Sequence, residues 1–162
     1  MSSESEALKE RTMSFAVGIL QLIETFPKTI GGRIVAGQLA DAATSVGSNY
    51  RAVCTARSDR EFVAKLCIVH EEADESVYWL EIALRCNYST PVSIRAHLSE
   101  AIQLRAIFGR SLKTVRLRLS KPQPNARIAK RPNGQITQQP NGQITQQPND
   151  QIIKQPNDEM TK

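Results

Sequence analysis

The sequence is poor in the residues that would assign it a chemistry. It has two histidines, three cysteines and one tryptophan, and aromatic residues make up 5% of its 162 positions. No run of about 18 apolar residues occurs, so no membrane span is expected. The N-terminus, MSSESEALKE, is polar and acidic and shows no signal-peptide pattern, so a cytoplasmic protein is expected. Cys54, Cys67 and Cys86 form no C-x-x-C pair and are odd in number; small, buried, reduced thiols are expected. Gly31-Gly32 lacks the preceding strand and the lysine of a phosphate-binding loop. His70 and Asp74 stand at i and i+4, but the second histidine of a zinc-binding H-E-x-x-H pair is missing. A di-iron bundle needs Glu three residues before each His, and Cys67 and Ile94 occupy those places. No Cys-His-Asn spacing suggests a nucleophile. No cofactor, metal or catalytic residue is expected, and the chain is not expected to be an enzyme.

Strand signals are missing as well, and helical periodicity takes their place. Residues 45–85 organise the chain: the end of one helix, a tight corner, and a second helix of about seven turns. Ser58 and Glu61 fit the S-x-x-E capping box, in which the glutamate returns to the serine N–H. After the corner, Phe62, Leu66, Val69, Ala73, Val77 (or Ser76), Leu80, Ala83 and Asn87 step by three or four residues. Before it, Val35, Leu39, Ala42, Val46, Asn49 and Val53 do the same. Two apolar stripes joined by a short corner predict an antiparallel hairpin.

The flanks complete the pattern. Leu8, Thr12, Phe15, Ile19, Leu22 and Phe26 predict a helix over about residues 5–26, ended by Pro27. A turn over residues 28–32 follows, where Gly31-Gly32 can take positive φ. The second helix is expected over about 33–56 and the third over 59–86. Pro91 stands near the start of a fourth helix over about 92–119. Its stripe is Ile94, Leu98, Ala101, Arg105, Phe108, Leu112, Val115 and Leu119. The expected fold is all-α: an antiparallel up-down-up-down four-helix bundle over residues 1–120.

Beyond it the character changes. PNGQITQQ occurs twice, at 132–139 and 140–147, and PNDQIIKQ follows at 148–155. An eight-residue repeat this polar cannot bury a core, so a disordered basic and polar tail is expected over 121–162.

Charge is uneven. Net charge is +5 over the whole chain. Basic residues gather on the fourth helix, where Arg110, Lys113, Arg116 and Arg118 are the candidates for contact with nucleic-acid phosphates. Lys121, Arg127, Lys130 and Arg131 carry the positive run into the tail. An ordinary solvated face, with cations favoured at a helix C-terminus, explains the same residues. Polar groups on the middle seam are candidate structural or interface residues: Asn49, Glu72 and Glu75, with Arg51, Arg57 and Arg105 as possible partners. Trp79 is expected to pack between helices.

TFPK at 25–28, QLADAATSVGSN at 38–49, ARSDREF at 56–62 and ADESVYWLE at 73–81 together resemble a family of bacterial four-helix-bundle proteins. That family includes proteins encoded in intervening sequences of large-subunit ribosomal RNA genes. It also includes the accessory variability protein of diversity-generating retroelements. Many relatives carry Ile-Pro-Ser-Asn where this chain has Val46-Gly47-Ser48-Asn49, which implies a softer helix kink here. The resemblance covers about residues 8–119. It implies a four-helix bundle, a homopentameric ring, no enzymatic activity and, in the retroelement branch, binding to RNA or DNA and to a reverse transcriptase. A protein–protein adaptor or structural ring without nucleic acid is the other reading.

Overall fold

The computed structural model describes residues 3–120. The repeat tail and its boundary lie outside the described residues. Four helices make up the fold: α1 Ser3–Ile23, α2 Ile30–Cys54, α3 Asp59–Arg85 and α4 Pro91–Ser120. They form the all-α antiparallel bundle that the periodicity predicts. Backbone contacts run α1–α2, α2–α3, α3–α4 and α4–α1, with none across either diagonal. Each helix therefore has one inward face and two neighbours, which is what a single apolar stripe per helix permits.

The core is one cluster. It takes Phe15, Ile19 and Leu22 from α1, and Val35, Leu39, Val46 and Val53 from α2. From α3 come Leu66, Val69, Ala73 and Leu80, and from α4 Ile94, Ala101, Leu104, Phe108 and Leu112. Each fully buried large aliphatic or aromatic side chain contributes roughly 1.5–3 kcal/mol. Thr12 and Ser76 are the buried polar residues among those described, and both are satisfied within their own helices. Thr12 Oγ1 donates to Lys9 O at 2.9 Å and Ser76 Oγ to Glu72 O at 2.9 Å. On α4, Leu104 is buried where Arg105 was expected. From Ala101, steps of three and four both stay on the inward face; the apolar side chain takes it, and Arg105 turns to Asp74 on α3.

Local chemistry sets the helix ends. Ser58 is extended and accepts from Glu61 N at 3.2 Å, as a cap requires. The glutamate does not return to Ser58. Glu61 Oε2 accepts from Arg57 N at 2.8 Å, one residue earlier. That N–H also lacks a helical acceptor, and it brings a cationic side chain. The bond holds the Glu61 carboxyl below its ordinary range, with Lys65 adding to the effect. At the other end of α3, Asn87 takes φ 54. Its N–H reaches Leu84 O, and the Tyr88 N–H reaches Ala83 O at 3.0 Å, closing a Schellman motif. Thr90 accepts from Ser93 N at 3.3 Å, and Pro91 opens α4.

The α1–α2 turn differs from expectation. α2 begins at Ile30, and no glycine has positive φ among the described residues. Thr29 caps the helix by accepting from Gly32 N at 3.1 Å, which draws Gly31 and Gly32 into the first turn. The cysteines differ too. All are free, but Cys86 is exposed at the C-cap of α3, while Cys54 and Cys67 are half-buried.

Arg11 ties α1 to α4. Its Nε and Nη2 reach the two Glu100 carboxylate oxygens at 2.6 and 2.8 Å, and Nη2 also reaches Gln103. No helix among the described residues is long and apolar enough to cross a membrane.

Candidate nucleic-acid interface

Helix α4 turns 100° per residue, so Phe108 and Leu112 facing inward put Arg110 and Lys113 outside. Arg110, Lys113, Arg116 and Arg118 are all exposed. They do not form one row. Lys113 and Arg116 line a groove of about 570 Å³ between α3 and α4, together with Cys67, His70, Glu71 and Ser120. Arg116 Nη2 lies 3.2 Å from Cys67 Sγ. Arg116 also borders a second groove of about 610 Å³, with Asp59, Arg60 and Val63. Arg118 reaches across to Asp59 Oδ1 at 2.8 Å, pinning the last turn of α4 to the first turn of α3. Arg110 lines neither groove.

The electrostatics follow from the pairing. Arg105 is neutralised by Asp74 and Arg118 by Asp59. Arg110, Lys113 and Arg116 have no carboxylate partner among the described residues, although Glu71 shares the groove with two of them. Three uncompensated cations on two adjacent turns make a surface that attracts phosphate, offset in part by the negative end of the α4 dipole.

Two contributors were not legible as such. Arg60 sits inside the ARSDREF corner, where it reads as a spacer in the cap, yet α3's first turn brings it to the Arg116 groove. His70 reads in the sequence as an incomplete zinc-binding pair with Asp74 or as part of an acidic helix face. Its ring packs over Gly109, where a Cβ would lie 3.1 Å from Nε2, and this close approach places it beside Lys113 and Arg116. No group of three potential metal ligands occurs among the described residues.

The middle-seam candidates are dispersed. Asn49 Nδ2 donates to Ser45 O at 3.0 Å within its own helix. Arg51 is exposed at the α1–α2 groove. Glu72 is half-buried; burial raises its pKa, and the like charges of Glu75, Glu71 and Asp41 raise it further. Glu75 is exposed. Trp79 packs against the core and meets Tyr78 edge-on at 5.0 Å. No hydrogen bond or ion pair joins Asn49, Glu72 or Glu75 to Arg51, Arg57 or Arg105.

No curated protein matches the chain. A solved structure from Bacteroides thetaiotaomicron, a protein of unknown function from the S23 ribosomal protein family, is similar at 28% identity and a TM-score of 0.60. The match covers 65% of this chain and 97% of that one. Residues 5–110 match the family model described as 23S rRNA-intervening sequence protein. That span takes in α2, α3 and the larger part of α1 and α4, and the chain belongs to the 23S rRNA-intervening sequence protein family.

Proposed function

We propose that the chain is a non-enzymatic, homo-oligomeric, cytoplasmic accessory protein that binds RNA or DNA through the basic end of α4. One observation carries this reading: Arg110, Lys113 and Arg116 are exposed on consecutive turns without carboxylate partners, and two of them border an open groove. Cations in that state bind a phosphate backbone by releasing its counterions, without reading sequence. Among the described residues no Phe, Tyr or Trp lines the groove, so the expected contact is to the backbone and not to a platform of stacked bases.

Oligomerisation is the second half of the proposal. A few cations per chain bind weakly, and repetition around a ring, a pentamer by resemblance, raises affinity by effective concentration. A reverse transcriptase is the protein partner that the retroelement relatives suggest.

The test is a variant with Arg110, Lys113, Arg116 and Arg118 all changed to Glu. Loss of binding to a structured RNA and a duplex DNA, with helical content retained, supports the reading. Unchanged affinity removes these residues from it. The Arg105–Asp74 and Arg118–Asp59 pairs favour a second reading, an adaptor or structural ring without nucleic acid, because they spend two of α4's cations inside the fold. A reverse transcriptase gene and a template repeat beside this gene favour the first reading over the second.

A further inference from the structure

The inward stripes run out at the end of the bundle where α1 begins, α2 turns into α3 and α4 ends. On α1 the last large apolar residue is Leu8, and one turn earlier the same face carries Ser5. Ser111 follows Phe108 by one turn on α4, and α2 closes on Cys54. These small side chains do not fill the end layer. A pocket of about 280 Å³ lies there, lined from all four helices. Val53, Leu66 and Phe108, each no more than 2% exposed, form its inner side, and the half-buried Leu8, Tyr50 and Phe62 its walls. Side chains that face open space forfeit dispersion contacts, which a ligand of the right shape restores.

The lining sets the chemistry of that ligand. Among the described residues no Asp, Glu, Lys, Arg or His lines the pocket, so a charged molecule would lose its hydration without gaining a partner. Tyr50, Phe62 and Phe108 offer aromatic surfaces, and the Tyr50 and Phe108 rings already meet at 5.5 Å. The polar groups are few. Ser111 Oγ donates to Ile107 O at 3.0 Å. The Tyr50 hydroxyl stands against the Cys54 thiol one turn on; burial first, then the thiol and Glu6, push it up to about 12. It stays a neutral donor at any ordinary pH, and a thiol is a weak partner that a better acceptor can displace. An apolar cavity of about 150 Å³ holds benzene, so this one has room for a two-ring molecule.

We propose that this pocket binds a small, neutral heteroaromatic molecule of up to two fused rings, held between Tyr50, Phe62 and Phe108 and hydrogen-bonded to the Tyr50 hydroxyl. A space between the helices of a bundle, mainly apolar with a few polar groups, is the ordinary setting for such a ligand. The site is separate from the proposed phosphate contact: Arg110, Lys113 and Arg116 lie on the outer face of α4 and none of them lines the pocket.

Calorimetric titration of the full-length protein with indole tests it, and saturable binding of one indole per chain is expected. Ser111→Leu and Cys54→Leu fill the pocket from two different helices and are each expected to lower the affinity by about tenfold or more. Tyr50→Phe, which keeps the ring, is expected to lower it by about two- to tenfold. Thiol alkylation of the wild type gives a second readout that needs no variant. Indole at about ten times its dissociation constant is expected to slow alkylation of Cys54 by about tenfold. Cys86, exposed at the opposite end of the bundle, is expected to react unchanged. Absence of saturable binding would overturn the site. So would binding that leaves Cys54 as reactive as before, or binding that both leucine variants retain in full.

Discussion

The α-carbon of Gly32 packs against the carbonyl oxygen of Pro27, so that a Cβ at position 32 would collide with backbone. The contact lets α1 reverse into α2 within six residues, and no flexible side chain is there to yield. Gly32→Ala is expected to destabilise the protein by about 1–3 kcal/mol, as overpacking does. Gly37→Ala, whose Cβ meets open space, is expected to stabilise the monomer by up to about 1 kcal/mol. Chemical denaturation of the two variants beside wild type checks the pair, and equal effects would contradict it.

Two glutamates of α3 are expected to respond to acid in opposite senses. Glu61 has a lowered pKa because it accepts from the Arg57 N–H. Its contribution is complete above the unfolded value of about 4.3 and is lost as pH falls through the lower folded value. Glu72 has a raised pKa, first through burial and then through its acidic neighbours. Its charge opposes folding at neutral pH, and that opposition vanishes once pH falls below about 4.3. Glu61→Gln is therefore expected to lower stability at pH 7 and Glu72→Gln to raise it. Both differences are expected to shrink towards zero in strong acid, as thermal unfolding from pH 7 to pH 3 would record.

Arg11 and Glu100 hold the seam where the backbones make least contact. Their bidentate ion pair is part-buried, with side-chain exposures of 37% and 29%. A double-mutant cycle with Arg11→Ala and Glu100→Ala is expected to give a coupling energy of about 1 kcal/mol. A coupling near zero would mean that packing alone joins α1 to α4.

The basic residues of α4 are expected to be unequal. Asp59 already neutralises Arg118, whereas no carboxylate among the described residues pairs with Lys113. Lys113→Ala is expected to weaken nucleic-acid binding more than Arg118→Ala, and Arg118→Ala to loosen the end of the bundle more than Lys113→Ala. Anisotropy binding curves and unfolding midpoints on the two variants separate these effects.

The bundle was legible because apolar spacing and the turn residues agree. Leu66, Val69, Ala73, Leu80 and Ala83 are buried as their period requires, and Ser58 caps as its neighbours require. What escaped depends on contacts between helices or on the choice of partner at a helix start. Spacing alone cannot choose between Leu104 and Arg105, because both lie near the inward face, and Asp74 decides it from another helix. The carboxylate of Glu61 had two unpaired N–H groups within reach, and the pattern names one. Gly31-Gly32 reads as a turn until the Thr29 cap draws both residues into α2. The candidate site was legible only as a list of cations. Which of them are spent on Asp59 and Asp74, and which share a groove with His70, depends on how α3 and α4 are staggered.

The central claim is that the basic end of α4 binds a phosphate backbone. Titrating a structured RNA and a duplex DNA with the full-length protein, at salt concentrations from about 50 to 200 mM, tests it most directly. Affinity is expected to fall steeply with salt. Changing Arg110, Lys113 and Arg116 together to Ala is expected to flatten the logarithmic slope by about 2–3 for each chain in contact with the nucleic acid. No binding at the lowest salt, or a slope that the triple variant leaves unchanged, would contradict the claim.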